Sequence, residues 1–524
     1  MRATWGGIDL YPASDPVEYA RRKARVFSCP PQTLVFVPSV GLGYGLEELL
    51  SRLPSSCSIL CVEAHQPVMG MALAQGLPQD KRLLVVRTDS EEVVARALRE
   101  MGEWRFRRVT VVPLSAGYRL SPALYVRMRR SLEAQVREYW RNRLTLIALG
   151  SLQVRNLLSN ITLFPQAGDF ASLSTSLPVV VVGAGPSLEE QLPVIRDVRK
   201  DVLLLAVDTV LPRLTAEGLE PDVVVALEAQ TVNLQDFLPS PLSRRIILAC
   251  DISSLPSAAR LFAPSIRFFS SEFAHLRLFS RMAGARILPC PFPALGSVGV
   301  AAVHAALRMT TGEVFLCGLD FSYPHSMTHA RGTPYHLSTL AETTRLSPPG
   351  CLAFHALESR RKMRVPDKVG RPVLTDAVLL SYRDGLRRLV AAWEARVSDA
   401  SSSGLDLGVR RIGAQQLKEK VRGSRARCVP LETPYPPLCS SEAARAFIRA
   451  EEQLLLRGSS LVQEALHSGT PSEACLSFLD EADYIWVHFP DTRGDQPPTR
   501  NFLARTSAAV HFYMQKLRRI ESLL

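Results

Sequence analysis

Val179-Val-Val-Val-Gly-Ala-Gly-Pro-Ser-Leu188 decides how the middle of the chain is read. Four consecutive valines predict a strand buried on both faces, the kind found in parallel sheets. The glycines and proline that follow stop the strand and lead into a helix. This strand, turn and helix order makes an α/β fold the expectation, with backbone N–H groups and the Ser187 hydroxyl facing whatever lies above the sheet.

The same pattern continues downstream. Asp201 to Val207 reads as a strand with Asp208-Thr209 at its carboxyl end, and the helix Leu211 to Glu217 is closed by Gly218. Val223 to Leu227 is the next strand, ending in Glu228-Ala-Gln230. Three successive strands thus deliver small or polar residues to one edge, which is where open parallel sheets bind ligands. Further strands are expected at Arg245 to Cys250, Arg267 to Phe269 and Glu313 to Cys317, the last carrying Asp320 just beyond its carboxyl end. Ala294 to Val300 leads into a helix reaching Met309, with Ser297 and Gly299 at its amino end. Residues 322–366, rich in Ser, Thr, Pro and His, suit a mobile lid.

Toward the amino terminus, Thr33 to Val40 is an apolar strand running into Gly41-Leu-Gly-Tyr-Gly45 and a helix, and the strand Ser58 to Val62 ends at Glu63. Glu63 lies 22 positions after Gly41, about where a doubly wound fold sets a carboxylate on a ribose. This resembles the S-adenosylmethionine-type Rossmann fingerprint, so Gly41, Gly43, Gly45 and Glu63 form a second candidate nucleotide-type site, the alternative being a tight turn without a ligand. Leu83 to Val86 and Arg108 to Val112 complete the expected strands of a Rossmann-like domain over 1–120. Residues 121–176 read as a helical connector, 177–425 as the central domain and 438–524 as a helical C-terminal domain, a cap or a homo-oligomer contact. Pro430 to Pro437 reads as a linker. Tyr484 to Phe489 is a core patch or a partner contact, burial being the commoner fate.

Composition bounds the partners. At 524 residues the chain exceeds one ordinary core, and 47% hydrophobic with 21% charged residues excludes wholesale disorder. A net charge of +12 favours anionic partners, but no basic and aromatic residues interleave as in a nucleic-acid surface. The start has no signal-peptide core and no window has the roughly 18 apolar residues of a transmembrane segment, so a cytoplasmic protein is expected. Ten cysteines without a C-x-x-C read as free thiols, mostly buried.

Taken in order, Val179 to Ser187, Asp208-Thr209, Gly218-Leu-Glu-Pro-Asp222, Glu228-Ala-Gln230, Gly296-Ser-Val and Gly318-Leu-Asp-Phe-Ser-Tyr323 with Thr328-His-Ala resemble the successive motifs of the motility-associated factor (Maf) flagellin glycosyltransferases, which contain an MptE-like domain. The resemblance extends to Gly41–Gly45, to Asn156 and Asn160, and to Val365-Pro-Asp-Lys-Val-Gly-Arg-Pro-Val-Leu-Thr375, covering most of residues 30–415. It implies a central doubly wound domain similar to bacterial sialyltransferases, and transfer of a nonulosonic acid of the pseudaminic or legionaminic type from a CMP-sugar to Ser or Thr of flagellin. Carried over, Gly183, Gly185, Pro186, Ser187, Asp208, Thr209, Glu228, Gly296 and Ser297 are nucleotide-sugar-binding residues, while Asp320 and the histidines after it border the reacting centre. Glu228 stands where the family more often has Asp, and Leu295 replaces a small residue.

CMP is itself a phosphate leaving group, so no cofactor or metal is obligatory if hydroxyls, N–H groups or cations stabilise the departing charge. The acceptor hydroxyl needs a base, and His329 leads as the catalytic candidate together with Asp320; His325, His336 and His355 are rivals. A metal cluster of Asp320, His325 and His329 is a competing reading. Other classes stay open: an MptE-like pterin diphosphokinase using ATP and Mg, a non-catalytic flagellin-binding scaffold, and a methyltransferase on Gly41–Gly45.

Overall fold

A computed structural model describes residues 4–238, 240, 243, 245–271, 273–358, 360–422, 435–491 and 498–524, with side chains at 353–356 also outside the description. The chain forms two compact units, one of residues 1–148 with 489–497 and one of 149–488 with 498–524. The 39-residue helix Pro122–Asn160 begins in the first and ends in the second.

In the first unit, β1 (Thr4–Trp5) and β2 (Ile8–Asp9) make a short antiparallel pair. Strands β3 (Thr33–Pro38), β4 (Ser58–Glu63), β5 (Leu83–Arg87) and β6 (Arg108–Val111) form a parallel sheet in the order β5-β4-β3-β6, the Rossmann-like arrangement. Every residue of β3 and β4 is buried, as apolar central strands covered on both faces must be.

The second unit is built on nine parallel strands. The first seven are β7 (Gly168–Asp169), β8 (Val179–Val182), β9 (Leu203–Val207), β10 (Val223–Ala226), β11 (Ile247–Asp251), β12 (Ile266–Phe269) and β13 (Val314–Cys317). A separate antiparallel hairpin, β14 (Lys362–Pro366) with β15 (Pro372–Asp376), comes before the last two, β16 (Val397–Asp399) and β17 (Arg410–Arg411). The order in the large sheet is β17-β16-β13-β8-β9-β10-β11-β12-β7. The four valines of β8 are wholly buried, each contributing roughly 1.5–3 kcal/mol of burial. The helix Val298–Met309 lies close to this sheet because its buried face is largely glycine, alanine and valine.

Three expectations change. Residues 322–366 are not a bare lid: they contain the helices Pro334–Ala341 and Pro349–Glu358 and the strand β14. Prolines at the first helical positions and the open alternation of 362–366 supply the physical reason. Second, the sheet extends before 177, into the connector through β7, and it gains β16 and β17 after the helix Ala377–Val390, where no strand was expected; these segments are too short to carry a periodicity. Third, the apolar stripes of the helices Ser441–Ser468 and Arg500–Leu523 are occupied within the chain. Phe447, Ile448, Leu455, Val510, Tyr513 and Leu517 are all buried, and the two helices pack on one another, while Leu456 and Phe512 on the same helices stay exposed.

Tyr484, Ile485 and Val487 are core residues. Most of the expected linker, 430–434, lies outside the described residues, as does Cys428; the nine described cysteines are free thiols. Among the described residues no helix is long and apolar enough to cross a membrane.

Candidate active site

The sheet order runs from β8 toward β9 and β10 on one side and toward β13 and β16 on the other. A topological switch point therefore falls between β8 and β13, and the carboxyl ends of β13, β8, β9 and β10 stand in a row about 4.8 Å apart.

At the switch point two strand-end turns interlock. Gly183 N–H donates to Cys317 O and Gly185 N–H to Gly318 O, both at 2.8 Å. A Cβ on Gly183 would lie 2.5 Å from Gly318 O, and one on Gly185 would lie 2.6 Å from the same oxygen and 2.7 Å from Asp320 Oδ2. Only glycine admits this approach. Ser187 N–H donates to Asp320 Oδ2 at 2.8 Å and its hydroxyl donates to Asp320 Oδ1. The expectation that these donors face a ligand is thus corrected, because the neighbouring strand end takes them. Pro186 has no N–H to offer. Burial raises the Asp320 carboxyl to about 6, against the lowering effect of its Ser187 bonds. Gly404 closes over it, its Cβ position 2.7 Å from Asp320 Cα.

His329 reaches the same turn by another route. Ala330 N–H donates to Ala184 O at 2.8 Å, pinning the segment after β13 against the glycines. The His329 Nδ1 is buried without a hydrogen-bond partner, and burial lowers the imidazole to about 4, so the ring is neutral at pH 7. Its rivals are differently placed. His325 is exposed, with φ 53°. His336 Nδ1 accepts from Gly332 N–H at 3.1 Å, and the side chain of His355 lies outside the described residues. Among the described residues no three His, Cys, Asp or Glu side chains are placed to hold one metal ion, Asp320, His325 and His329 included.

Two strands along, the carboxylates are less committed. Asp208, 1% exposed, accepts from Thr209 N–H (2.8 Å) and Oγ1 (3.2 Å) on Oδ1, while Oδ2 has no partner. Burial, then the nearby Asp236 charge, pushes its carboxyl up to about 8, so it is protonated at neutral pH. Asp236, buried on the segment after β10, is raised to about 6, mainly by burial and also by Glu228. Glu228 keeps contact with solvent, yet crowding by protein also raises its carboxyl. Asp208, Glu228, Asn233, Phe237, Cys250 and Ser254 line a cavity of about 10 Å³, room for one water. A nucleotide does not fit inside it, so a larger ligand would lie along the strand ends above.

Asn156 and Asn160, one helical turn apart, hold the wall of that cavity. Asn156 Nδ2 donates to Ala229 O (2.9 Å) and Ser253 O (3.2 Å), and Asn160 Nδ2 to Ile252 O (2.9 Å) and Ser254 O (2.8 Å). Sequence reading noted both without a role, and it missed Asp236 and Lys368. The Lys368 ammonium is wholly buried, 2.5 Å from Asp399 Oδ2, and its backbone N–H donates to Gly404 O, fixing the β14–β15 turn over the switch point. A lysine inside the turn Asp367-Lys-Val-Gly370 was its only signal. Gly296 (φ +68°) and Ser297 precede the helix Val298–Met309, and the Ser297 hydroxyl makes no capping bond to its amino end.

The Gly41–Gly45 turn is closed. Glu63 accepts from Ser39 Oγ (2.7 Å), Val40 N–H (3.0 Å), His65 N–H (3.0 Å) and Tyr125 Oη (3.4 Å) and is fully buried. A Cβ on Gly41, Gly43 or Gly45 would collide with Tyr11, Leu77 or the Ala20 backbone. The carboxylate that the sequence offered to a ribose is instead a staple for its own turn.

Against known proteins, residues 153–326 match the family described as 6-hydroxymethylpterin diphosphokinase MptE-like. The chain carries an MptE-like domain. That domain spans β7 to β13 and contains the glycine turn, Asp208, Glu228, Ser297 and Asp320. An uncharacterized protein of Treponema pallidum (strain Nichols) is 28% identical over 542 residues, covering 98% of this chain and 92% of that protein. A second uncharacterized protein of the same strain is 30% identical over 89 residues, 17% of this chain and 42% of that protein. The solved structure of MAf glycosyltransferase from Magnetospirillum magneticum AMB-1 superposes with a TM-score of 0.56, covering 99% of this chain and 87% of that one at 17% identity. The fold around the MptE-like domain is therefore that of a Maf protein.

Proposed function

We propose that the chain is a glycosyltransferase that moves a nonulosonic acid from a CMP-sugar to Ser or Thr hydroxyls of flagellin in the cytoplasm. The observation that carries this reading is the extent of the shared fold, 99% of the chain, since an MptE-like domain alone leaves the N-terminal unit and helical tail without a counterpart. The donor would lie along the ends of β8, β9 and β10. The helix amino end at Gly296-Ser297, which its own serine side chain does not cap, would take up charge on the departing phosphate. Asp208, protonated at neutral pH, offers a hydrogen-bond donor that an ionised carboxylate cannot.

The acceptor oxygen attacks the anomeric carbon, the bond from that carbon to the phosphate oxygen breaks, and CMP leaves with the electron pair. The hydroxyl proton passes to His329, whose neutral ring is in the state a general base requires. An anionic donor bound beside the ring raises its proton affinity from the low value of the free protein. In this reading Asp320 orders the turn through Ser187 and does not exchange protons.

A second reading follows from the family description itself: diphosphoryl transfer to a pterin, with ATP and Mg. A thermal-shift titration against CMP, CTP, ATP with Mg and S-adenosylmethionine separates the two. A ligand held only by the native state stabilises by about 2.7 kcal/mol at a hundredfold excess over Kd. Response to CMP and CTP alone supports the transferase and response to ATP with Mg supports the kinase. Silence across the panel overturns both and leaves a scaffold.

A further inference from the structure

Some basic side chains on and around the C-terminal helices face carboxylates: Arg449 with Glu521 at 2.5 Å, Arg518 with Glu452 at 2.6 Å, and Arg281, on the helix Arg277–Gly284, with Glu451 at 2.5 Å. Four basic residues in one place do not. Lys516 on the helix Arg500–Leu523 donates from Nζ to Ser159 Oγ at 2.7 Å, and Ser159 Oγ donates in turn to Arg155 O at 2.8 Å. The Arg155 guanidinium reaches only the Ser151 carbonyl (3.3 Å) and the Phe512 ring, 6.0 Å from its centroid. Arg519, three residues beyond Lys516, and Arg260, on the helix Pro256–Leu261, complete the group, and both are exposed. Partial burial, followed by the charges of Arg155, Arg519 and Arg260, holds the Lys516 ammonium below the ordinary lysine range. None of the four has a carboxylate partner among the described residues.

Gathering like charges without a counter-charge is unfavourable, and the cost is largest for Lys516, which has lost part of its water. Two of its ammonium protons remain without a protein acceptor, and two exposed guanidinium forks stand beside it. That combination of a point cation with planar forks suits tetrahedral oxyanions. We propose that Arg155, Arg260, Lys516 and Arg519 form a binding site for a phosphate group, separate from the switch point. It lies near the Asn156 and Asn160 clamp, because Arg155 is next to Asn156, Ser159 is next to Asn160, and Arg260 follows the clamped 252–254 loop. The proposal does not depend on the transferase reading.

The test uses the full chain at constant ionic strength, titrated with inorganic phosphate against chloride and followed by thermal shift and calorimetry. Phosphate stabilises the wild-type protein, and Lys516→Met weakens binding about tenfold, the order expected for one charge-assisted contact of about 1.4 kcal/mol. In phosphate-free buffer Lys516→Met is at least as stable as wild type, since a repelled charge is gone; a packing role alone would lower its Tm. If Lys516→Met does not fold, the exposed Arg519→Gln replaces it, with a smaller loss in the same direction. Pelleting with phosphatidylserine vesicles separates the sources: vesicle binding lost in the variant, without a response to free phosphate, assigns the group to a lipid headgroup. An unchanged phosphate response in both variants, or no response of wild type to phosphate or vesicles, overturns the proposal.

Discussion

Replacing Asp208 with asparagine tests whether that carboxyl is a neutral donor. In the unfolded chain it gives up its proton near the ordinary value of 3.8, but in the fold only near 8, chiefly because burial disfavours the charge. Between those values the native state holds one proton more than the unfolded state, so the stability of wild type falls as pH rises through this window. One proton corresponds to about 1.4 kcal/mol per pH unit, hence roughly 3 kcal/mol between pH 5 and pH 7. An amide does not titrate, so Asp208→Asn should gain on wild type by that amount over the interval. Asp236 and Glu228 hardly disturb the comparison, since Asp208 stays uncharged below its folded pKa in wild type and exerts no charge on them. Urea unfolding of the two proteins at pH 5, 6 and 7 reads the difference directly. A difference constant with pH would mean that Asp208 is ionised in the native protein, and the neutral donor would have to be abandoned.

Gly185→Ala sets a methyl 2.6 Å from Gly318 O and 2.7 Å from Asp320 Oδ2; backbone displacement should destabilise the second unit by about 1–3 kcal/mol and abolish any nucleotide response. A variant with wild-type stability in urea would show that the interlocked turns have slack. Asn160→Ala leaves the Ile252 and Ser254 carbonyls without their donor, a loss of about 1–3 kcal/mol, and should weaken ligand binding together with stability. Glu63→Gln should destabilise the first unit while leaving every nucleotide response intact, because the carboxylate serves its own turn; a lost S-adenosylmethionine response would restore a site there.

Legibility followed element length. The four-valine strand, the glycine turns and the strand ends at Asp208, Glu228 and Asp320 were readable because buried parallel strands leave an apolar run and a polar stop. The strands β7, β16 and β17 were not, at two or three residues each. Asp236 and Lys368 were invisible for a different reason: their importance comes from partners at other strand ends, and no local pattern records a neighbour about 30 residues away.

What the sequence could not separate was a polar strand end that binds a ligand from one that binds its own fold. Both look like an acid after an apolar run. The structure sorts them by what each carboxylate already holds. Glu63 holds Ser39, Val40 and His65; Asp251 holds Ser253 and Ser271; Asp320 holds Ser187; and Asp399 holds Lys368 and Ser401. Each carboxylate ties a turn at a strand end, so an acid followed or faced by a serine is here a staple. Asp208 departs from the pattern, having Thr209 on one oxygen and nothing on the other. A buried polar group left unmatched, here the protonated oxygen of the carboxyl, costs about 1–3 kcal/mol, and such a cost persists where it serves binding or chemistry. The centre of the candidate site therefore moves one strand over from the glycine turn, onto the ends of β9 and β10. The turn itself becomes the frame against which the His329 segment is pinned through Ala330 and Ala184.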